Sequence, residues 1–306
     1  MSKSKILMAV DKSGSYRVHL CITTDIVEES RKMHGLSPLA TAALGRVLTA
    51  TGMMSIQLKG KRDKVSLIFQ GDGPAKQILS TGYANGQIKG YISNPDVELP
   101  LKDNGKLDVG GALGTGELTV VKDLGLKDPY IGTIALVSGE IAEDLTAYYY
   151  ISEQQNTSFA LGVKVGRDCH VLSAGGMFIQ VLPGASEEAI TALENMLKAV
   201  KPMTTNIEET VLAGGGKSEE GLLTDLMNRI FADMPEEFTP EIAEFKEMEL
   251  KCDCSRERIE QALMTVGKQE LQDMLEEDGQ AELVCHFCGT KYLFDANDLK
   301  SLIERL

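Results

Sequence analysis

Four of the six cysteines in this 306-residue chain stand in two close pairs near its C-terminus, Cys252-Asp253-Cys254 and Cys285-His286-Phe287-Cys288. Thirty residues separate the pairs. Four thiols at such spacing can close one tetrahedral metal site, and the same thiols can be oxidised pairwise. Zinc prefers tetrahedral Cys and His ligands, and a Cys-x-x-Cys-Gly turn aims two sulfurs at one point. Cys285–Gly289 reads as such a knuckle. Cys252 and Cys254 converge on the same point only if Asp253 sits in a bend. The expectation is one Zn2+ held by Cys252, Cys254, Cys285 and Cys288, with His286 inside the knuckle as a surface residue and not a ligand.

Four thiolates leave no open position for water or substrate, so a zinc held this way is structural rather than catalytic. Structural zinc sites contribute about 10–16 kcal/mol of apparent binding free energy. A small module has only about 0.05–0.15 kcal/mol of stability per residue, so loss of the metal should unfold it. If disulfides were to form within each pair, they would close very small loops. They would tether nothing across the module and would keep zinc from rebinding. Oxidation would then act as an unfolding switch.

Hydrophobic residues make up 43% of the chain, which marks it as globular. No apolar run approaches the length of a transmembrane helix, and the N-terminal apolar stretch after Lys3 and Lys5 is too short for a secretory signal. A cytoplasmic protein is expected, where clustered cysteines point to metal or redox chemistry before structural disulfides. The net charge of −14 is uneven: residues 1–182 carry about +1 and residues 183–306 about −15. An acidic C-terminal half disfavours phosphate backbones, so no nucleic-acid partner and no membrane partner are expected.

Residues 1–182 mix strand and helix signals without strict alternation, which predicts an α+β core. Strand patterns occur at 17–23, 65–70, 88–92, 118–121, 131–137, 158–165 and 177–182, with helices expected at 39–51, 74–79 and 141–152. Residues 183–234 read as a linker with two amphipathic helices. One carries Ala189, Ile190, Leu193, Met196, Leu197 and Val200 and is stopped by Pro202; the other carries Leu222, Leu223, Leu226, Met227, Ile230 and Phe231. Such faces pack on the core or, if uncovered, offer an apolar surface to a partner. Residues 235–306 read as a small C-terminal module: a helix capped by Ser255, a second ending at Asp278-Gly279, strands at 281–284 and 291–294, and a last helix from Ala296.

Other signals fail. Gly214-Gly215-Gly216-Lys217-Ser218 ends like a phosphate-binding loop, but Val211 stands where the pattern needs glycine, so the run reads as a linker with a cap at Ser218. Gly114-Thr115-Gly116 lacks the third glycine of a dinucleotide fingerprint. Cys21 and Cys169 are expected to be buried core cysteines, and Cys169-His170, read as neighbours on a strand, would point to opposite faces. With four scattered histidines an acid–base enzyme is poorly supported, and no catalytic residues are expected.

The C-x-C and C-x-x-C pairs, together with the stretches Tyr149-Tyr150-Ile151-Ser152-Glu153-Gln154, Ala174–Pro183 and Ile88–Pro95, resemble the redox-regulated 33 kDa heat-shock chaperone family along essentially the whole chain. The resemblance implies an ATP-independent holdase that is inactive when reduced and zinc-bound. It implies that oxidation joins Cys252 to Cys254 and Cys285 to Cys288, releases zinc and unfolds the module and linker. The active form would be a homodimer that binds unfolding client proteins. Two other classes fit the cysteines alone: a zinc-ribbon adaptor or nucleic-acid-binding module, and a thiol oxidoreductase.

Overall fold

Strands β1 (Lys3–Asp11) and β2 (Tyr16–Ile22) alternate so that both faces of the pair are apolar. Leu7, Ala9, Tyr16, Val18 and Leu20 enter one hydrophobic cluster, Ile6 and Cys21 another. A sheet strand covered on both sides in this way must lie inside its own compact unit. The computed structural model describes residues 2–306. Residues 2–251 form one compact unit and Cys252–Leu306 a second.

In the first unit α1 (Thr24–His34) and α2 (Pro38–Ser55) follow the opening hairpin. Then come β3 (Lys64–Gly71), β4 (Gln77–Tyr83), β5 (Gln87–Ile92), α3 (Val109–Leu113), β6 (Gly116–Asp123), β7 (Tyr130–Ala135), α4 (Ala142–Ser152), β8 (Thr157–Val165) and β9 (Val171–Val181). Three helices, α5 (Glu187–Ala199), α6 (Met203–Ala213) and α7 (Glu219–Ile230), precede β10 (Pro240–Leu250). Ten strands make one sheet in the order β7-β6-β3-β4-β5-β10-β1-β2-β9-β8. Every pairing is antiparallel except β5 with β10, where Glu249 and Leu250 sit opposite Gln87 and Ile88. Gly86, at φ +84°, makes that junction, because a Cβ there would run into the Glu247 carbonyl.

Helix α2 is buried almost all round. Ser37 Oγ caps it by accepting from the Ala40 N–H at 3.1 Å. It packs on β3, β4 and β5 as well as on β8 and β9, so the sheet curls around it from both ends. The opposite face of β1, β2 and β9 is covered by α5–α7 through Ala189, Leu193, Ile207, Leu223, Leu226 and Ile230. The Tyr16 hydroxyl donates to the Phe238 carbonyl, and its ring stacks on Phe231 at 6.1 Å.

The α+β class holds, and several expectations change. Residues 74–79 are not helical: from Gln77 the chain is a strand in register with β3, with Ile78 and Ser80–Gly82 buried. The linker holds three helices, because Pro202 ends α5 but also caps the N-terminus of α6. The compact units divide the chain at 251/252, not at 234/235, and residues 183–234 belong to the first unit. β10 is a central strand whose four glutamates hid it; Lys3 of β1 reaches Glu247 at 3.3 Å. Ser218 caps α7 as expected, its Oγ accepting from the Gly221 N–H at 3.2 Å.

The second unit contains α8 (Arg256–Met264), α9 (Lys268–Glu277), the hairpin β11 (Ala281–Val284) and β12 (Lys291–Phe294), and α10 (Ala296–Glu304). Its core is small: Leu263, Leu271, Phe294, Leu299 and Leu302. Arg256 lies over the Phe294 ring at 4.4 Å and pairs with Asp298 at 2.6 Å, which ties α8 to the hairpin and α10.

Candidate metal centre

Two local structures bring the four predicted sulfurs together. The first is the irregular segment between β10 and α8. Ser255 Oγ accepts from the Arg258 N–H at 3.4 Å and starts α8. The Arg258 guanidinium reaches back to the Asp253 carbonyl at 3.0 Å and pairs with the Asp253 carboxylate. That clamp fixes the residue between Cys252 and Cys254, although the segment itself carries neither a bend nor a turn.

The second is the loop of the β11–β12 hairpin. The Cys285 N–H donates to the Thr290 carbonyl at 2.9 Å, and the N–H groups of Gly289 and Cys288 donate to the Cys285 carbonyl at 2.8 and 3.3 Å. Gly289 takes φ +69°, which lets the chain turn back into β12. The turn points Cys285 and Cys288 to the same side as the first pair.

All four Sγ atoms lie within 4.8 Å of one another. The nearest contacts run between the pairs, 3.7 Å from Cys252 to Cys285 and 3.4 Å from Cys254 to Cys288. Tetrahedral ligands at a Zn–S distance of ~2.3 Å sit about 3.8 Å apart, whereas a disulfide needs ~2.05 Å. The spacing fits a shared metal ion with unbridged thiols. Cys285 is buried and the other three are half-buried.

Electrostatics point the same way. Burial pushes the Cys252 and Cys285 thiols up. Burial also raises Cys288, but the hydroxyl and N–H of Thr290 and the adjacent thiols outweigh it and leave that group at about 7. The Tyr292 hydroxyl stands 3.1 Å from Cys254 Sγ, and that of Thr290 stands 3.2 Å from Cys288 Sγ. Four adjacent thiolates repel one another, and a bound dication removes that cost. A metal held by these four thiols would supply a cross-link between the two halves of the module.

Thr290, Tyr292 and Arg258 were not singled out from the sequence. The available signal was two hydroxyl residues two and four places beyond Cys288, on a strand that returns past the knuckle. Cys21 is buried as expected, and burial pushes its thiol up to about 12. Cys169 is not a core residue: it is half-exposed in the β8–β9 turn at φ +65°. The turn, and not opposite faces of a strand, sets its relation to His170.

A curled ten-stranded sheet with an apolar helical cover, followed by a separate unit built around four converging thiols, defines a two-unit α+β protein with a C-terminal four-cysteine module. The profile of the family described as Hsp33 protein matches residues 4–295. The chain is 42% identical over 304 residues to the 33 kDa chaperonin of Alkaliphilus metalliredigens, covering 99% of each. It is 44% identical over 299 residues to that of Acetivibrio thermocellus, covering 98% of this chain and 96% of the relative. The crystal structure of the 33 kDa chaperonin from Thermotoga maritima superposes with a TM-score of 0.86 at 35% identity, covering 99% of this chain and 98% of that one. The chain belongs to the Hsp33 family of chaperones.

Proposed function

We propose that this protein is a redox-regulated, ATP-independent holdase whose reduced form is held inactive by a Zn2+ on Cys252, Cys254, Cys285 and Cys288. The observation that carries the reading is the convergence of these four thiols in a module whose own core is only five buried side chains. A core of that size depends on a cross-link for its fold.

Oxidation joins Cys252 to Cys254 and Cys285 to Cys288. For each bridge the two sulfurs, thiolates while zinc is held, give up two electrons, and one peroxide takes these with two protons from solvent to become two waters. The sulfurs of each pair leave the spacing that suits a metal, and neither bridge spans the two halves of the module. The module then unfolds with loss of zinc. Uncovering of α5–α7 follows, and it exposes two apolar surfaces at once: the helical face of Leu193, Ile207, Leu223 and Leu226, and the sheet face of Leu7, Val18 and Leu20. Extended apolar surface of this kind binds unfolding polypeptides without an energy source. We read the active form as a homodimer in the cytoplasm, acting on oxidatively damaged proteins and carrying out no catalysis.

The test is light scattering from a heat-denaturing client, with no ATP, in the presence of reduced or peroxide-treated protein. Suppression by the oxidised form and none by the reduced form is expected. Equal protection by both forms overturns the redox reading, and protection by neither overturns the holdase.

A further inference from the structure

The stretch beginning at Tyr149 is one the four-thiol site leaves unused. It ends α4 and walls a cavity of about 170 Å3 within the first unit. The other walls come from distant segments: Arg17 on β2, Gln57 beyond α2, Lys122 on β6 and Gln180 on β9. Gln154, at φ +54°, turns the chain so that the Gln155 N–H donates to the Tyr149 carbonyl at 3.0 Å and the Gln155 side chain closes one side. A non-glycine residue in that conformation is strained, and such strain is found at binding sites.

The polar groups are not balanced. Arg17 Nε donates to Gln180 Oε1 at 2.7 Å, and Nη2 donates to Gln57 Oε1 at 2.8 Å. Both acceptors are neutral amides, and among the described residues no carboxylate pairs with this half-buried guanidinium. Nη1 has no protein acceptor among them, and neither has the hydroxyl of Tyr149; neither atom is sealed from water, so both are open to a small ligand entering the cavity. The one carboxylate on the cavity, Glu153, is already engaged: it accepts from Lys122 Nζ and from the Tyr148 hydroxyl, each at 2.6 Å. Two cations and one carboxylate leave one positive charge unneutralised at a half-buried site, an arrangement that favours a bound anion.

We infer that this cavity binds a small monocarboxylate anion, of formate or acetate size, whose oxygens accept from Arg17 Nη1 and the Tyr149 hydroxyl. One negative charge matches the excess, and Glu153 repels a dianion. The volume holds only a handful of waters at ~30 Å3 each, so a peptide is excluded. Arginine is the side chain best suited to a flat oxyanion.

The reduced, zinc-loaded full chain is titrated with sodium acetate against sodium gluconate at equal ionic strength in chloride-free buffer, gluconate being too large to enter. Acetate is expected to raise the unfolding midpoint of the first unit by about 3 °C near saturation. Dialysis of 13C-acetate is expected to show one saturable site. Arg17→Met should abolish both effects. Tyr149→Phe, which keeps the ring and removes only the hydroxyl, should weaken binding several-fold, so the assignment stays testable if the arginine variant does not fold. Acetate and gluconate acting alike, or Tyr149→Phe binding as tightly as the parent, would mean that the cavity holds water only and overturn the inference.

Discussion

The Tyr292 hydroxyl donates to Cys254 Sγ across 3.1 Å, from the strand that leaves the knuckle to the pair on the far side of the site. This bond links the two halves of the metal centre independently of any ion. Groups that hydrogen-bond to metal ligands orient them and tune affinity, and losing one costs about 10–100-fold. Tyr292→Phe is therefore expected to bind zinc about 10-fold more weakly, with the module still folded when loaded. Competition against a chromophoric chelator measures this; unchanged affinity would show that the contact is incidental.

Cys285 is the most buried of the four thiols, at 7% exposure, and the loop hydrogen bonds of the knuckle all start or end on its backbone. Cys285→Ser should lower zinc affinity by more than the loss of Tyr292 does. It should also leave residues 252–306 without amide-exchange protection and weaken that of α5–α7, while residues 2–182 keep theirs. Chelation of zinc from the reduced parent should give the same pattern, because the buried Leu263–Phe294–Leu302 core is too small to persist alone. Protection of the module after chelation would show that the metal is dispensable to its fold.

Leu226 is fully buried where α7 covers the sheet. Leu226→Ala removes about 2–5 kcal/mol of packing. Because α7 is reached through the glycine run 214–216, the variant should be cleaved there by protease faster than the parent and should bind an apolar dye without peroxide. It should also give partial client protection while still reduced. A variant that is destabilised yet shows no gain in dye binding or protection would separate the helical cover from the client surface.

The module was legible because its signals are local. Ser255, Asp278-Gly279 and the knuckle punctuate short elements whose partners lie within a few dozen residues, and both short strands fell where the pattern placed them. The sheet was less legible because its order depends on distant pairing. β10 carries Glu241, Glu244, Glu247 and Glu249, which reads as an acidic surface until β1 is set beside it. The Arg17 cavity draws on segments spread from β2 to β9, so no window of sequence contains it.

His19 is 1% exposed, lies 5.5 Å from the Phe178 ring, and neither ring nitrogen has a partner among the described residues. Burial, helped by Arg17 and Lys246, pushes its pKa down to about 3. The folded state thus holds the neutral ring where the unfolded chain takes up a proton below its ordinary value of about 6.5. The stability that depends on neutral His19 is complete above that value and is lost as pH falls toward 3. The loss should approach about 1.4 kcal/mol per pH unit, or about 2 kcal/mol by pH 5. His19→Met should flatten denaturant-measured stability between pH 6.5 and 5, a window above most carboxylate titration. An unchanged slope would mean that the ring is protonated in the fold.

The most direct measurement is a single peroxide time course on the reduced, zinc-loaded chain, followed by zinc release, disulfide mapping and client protection in the same samples. The account predicts Cys252–Cys254 and Cys285–Cys288 bridges, with zinc release and protection rising together as the second bridge forms. Bridges between the pairs, following the 3.7 and 3.4 Å contacts of the reduced site, would staple the module instead of releasing it. Their appearance, or full bridging within pairs without protection, would contradict the account.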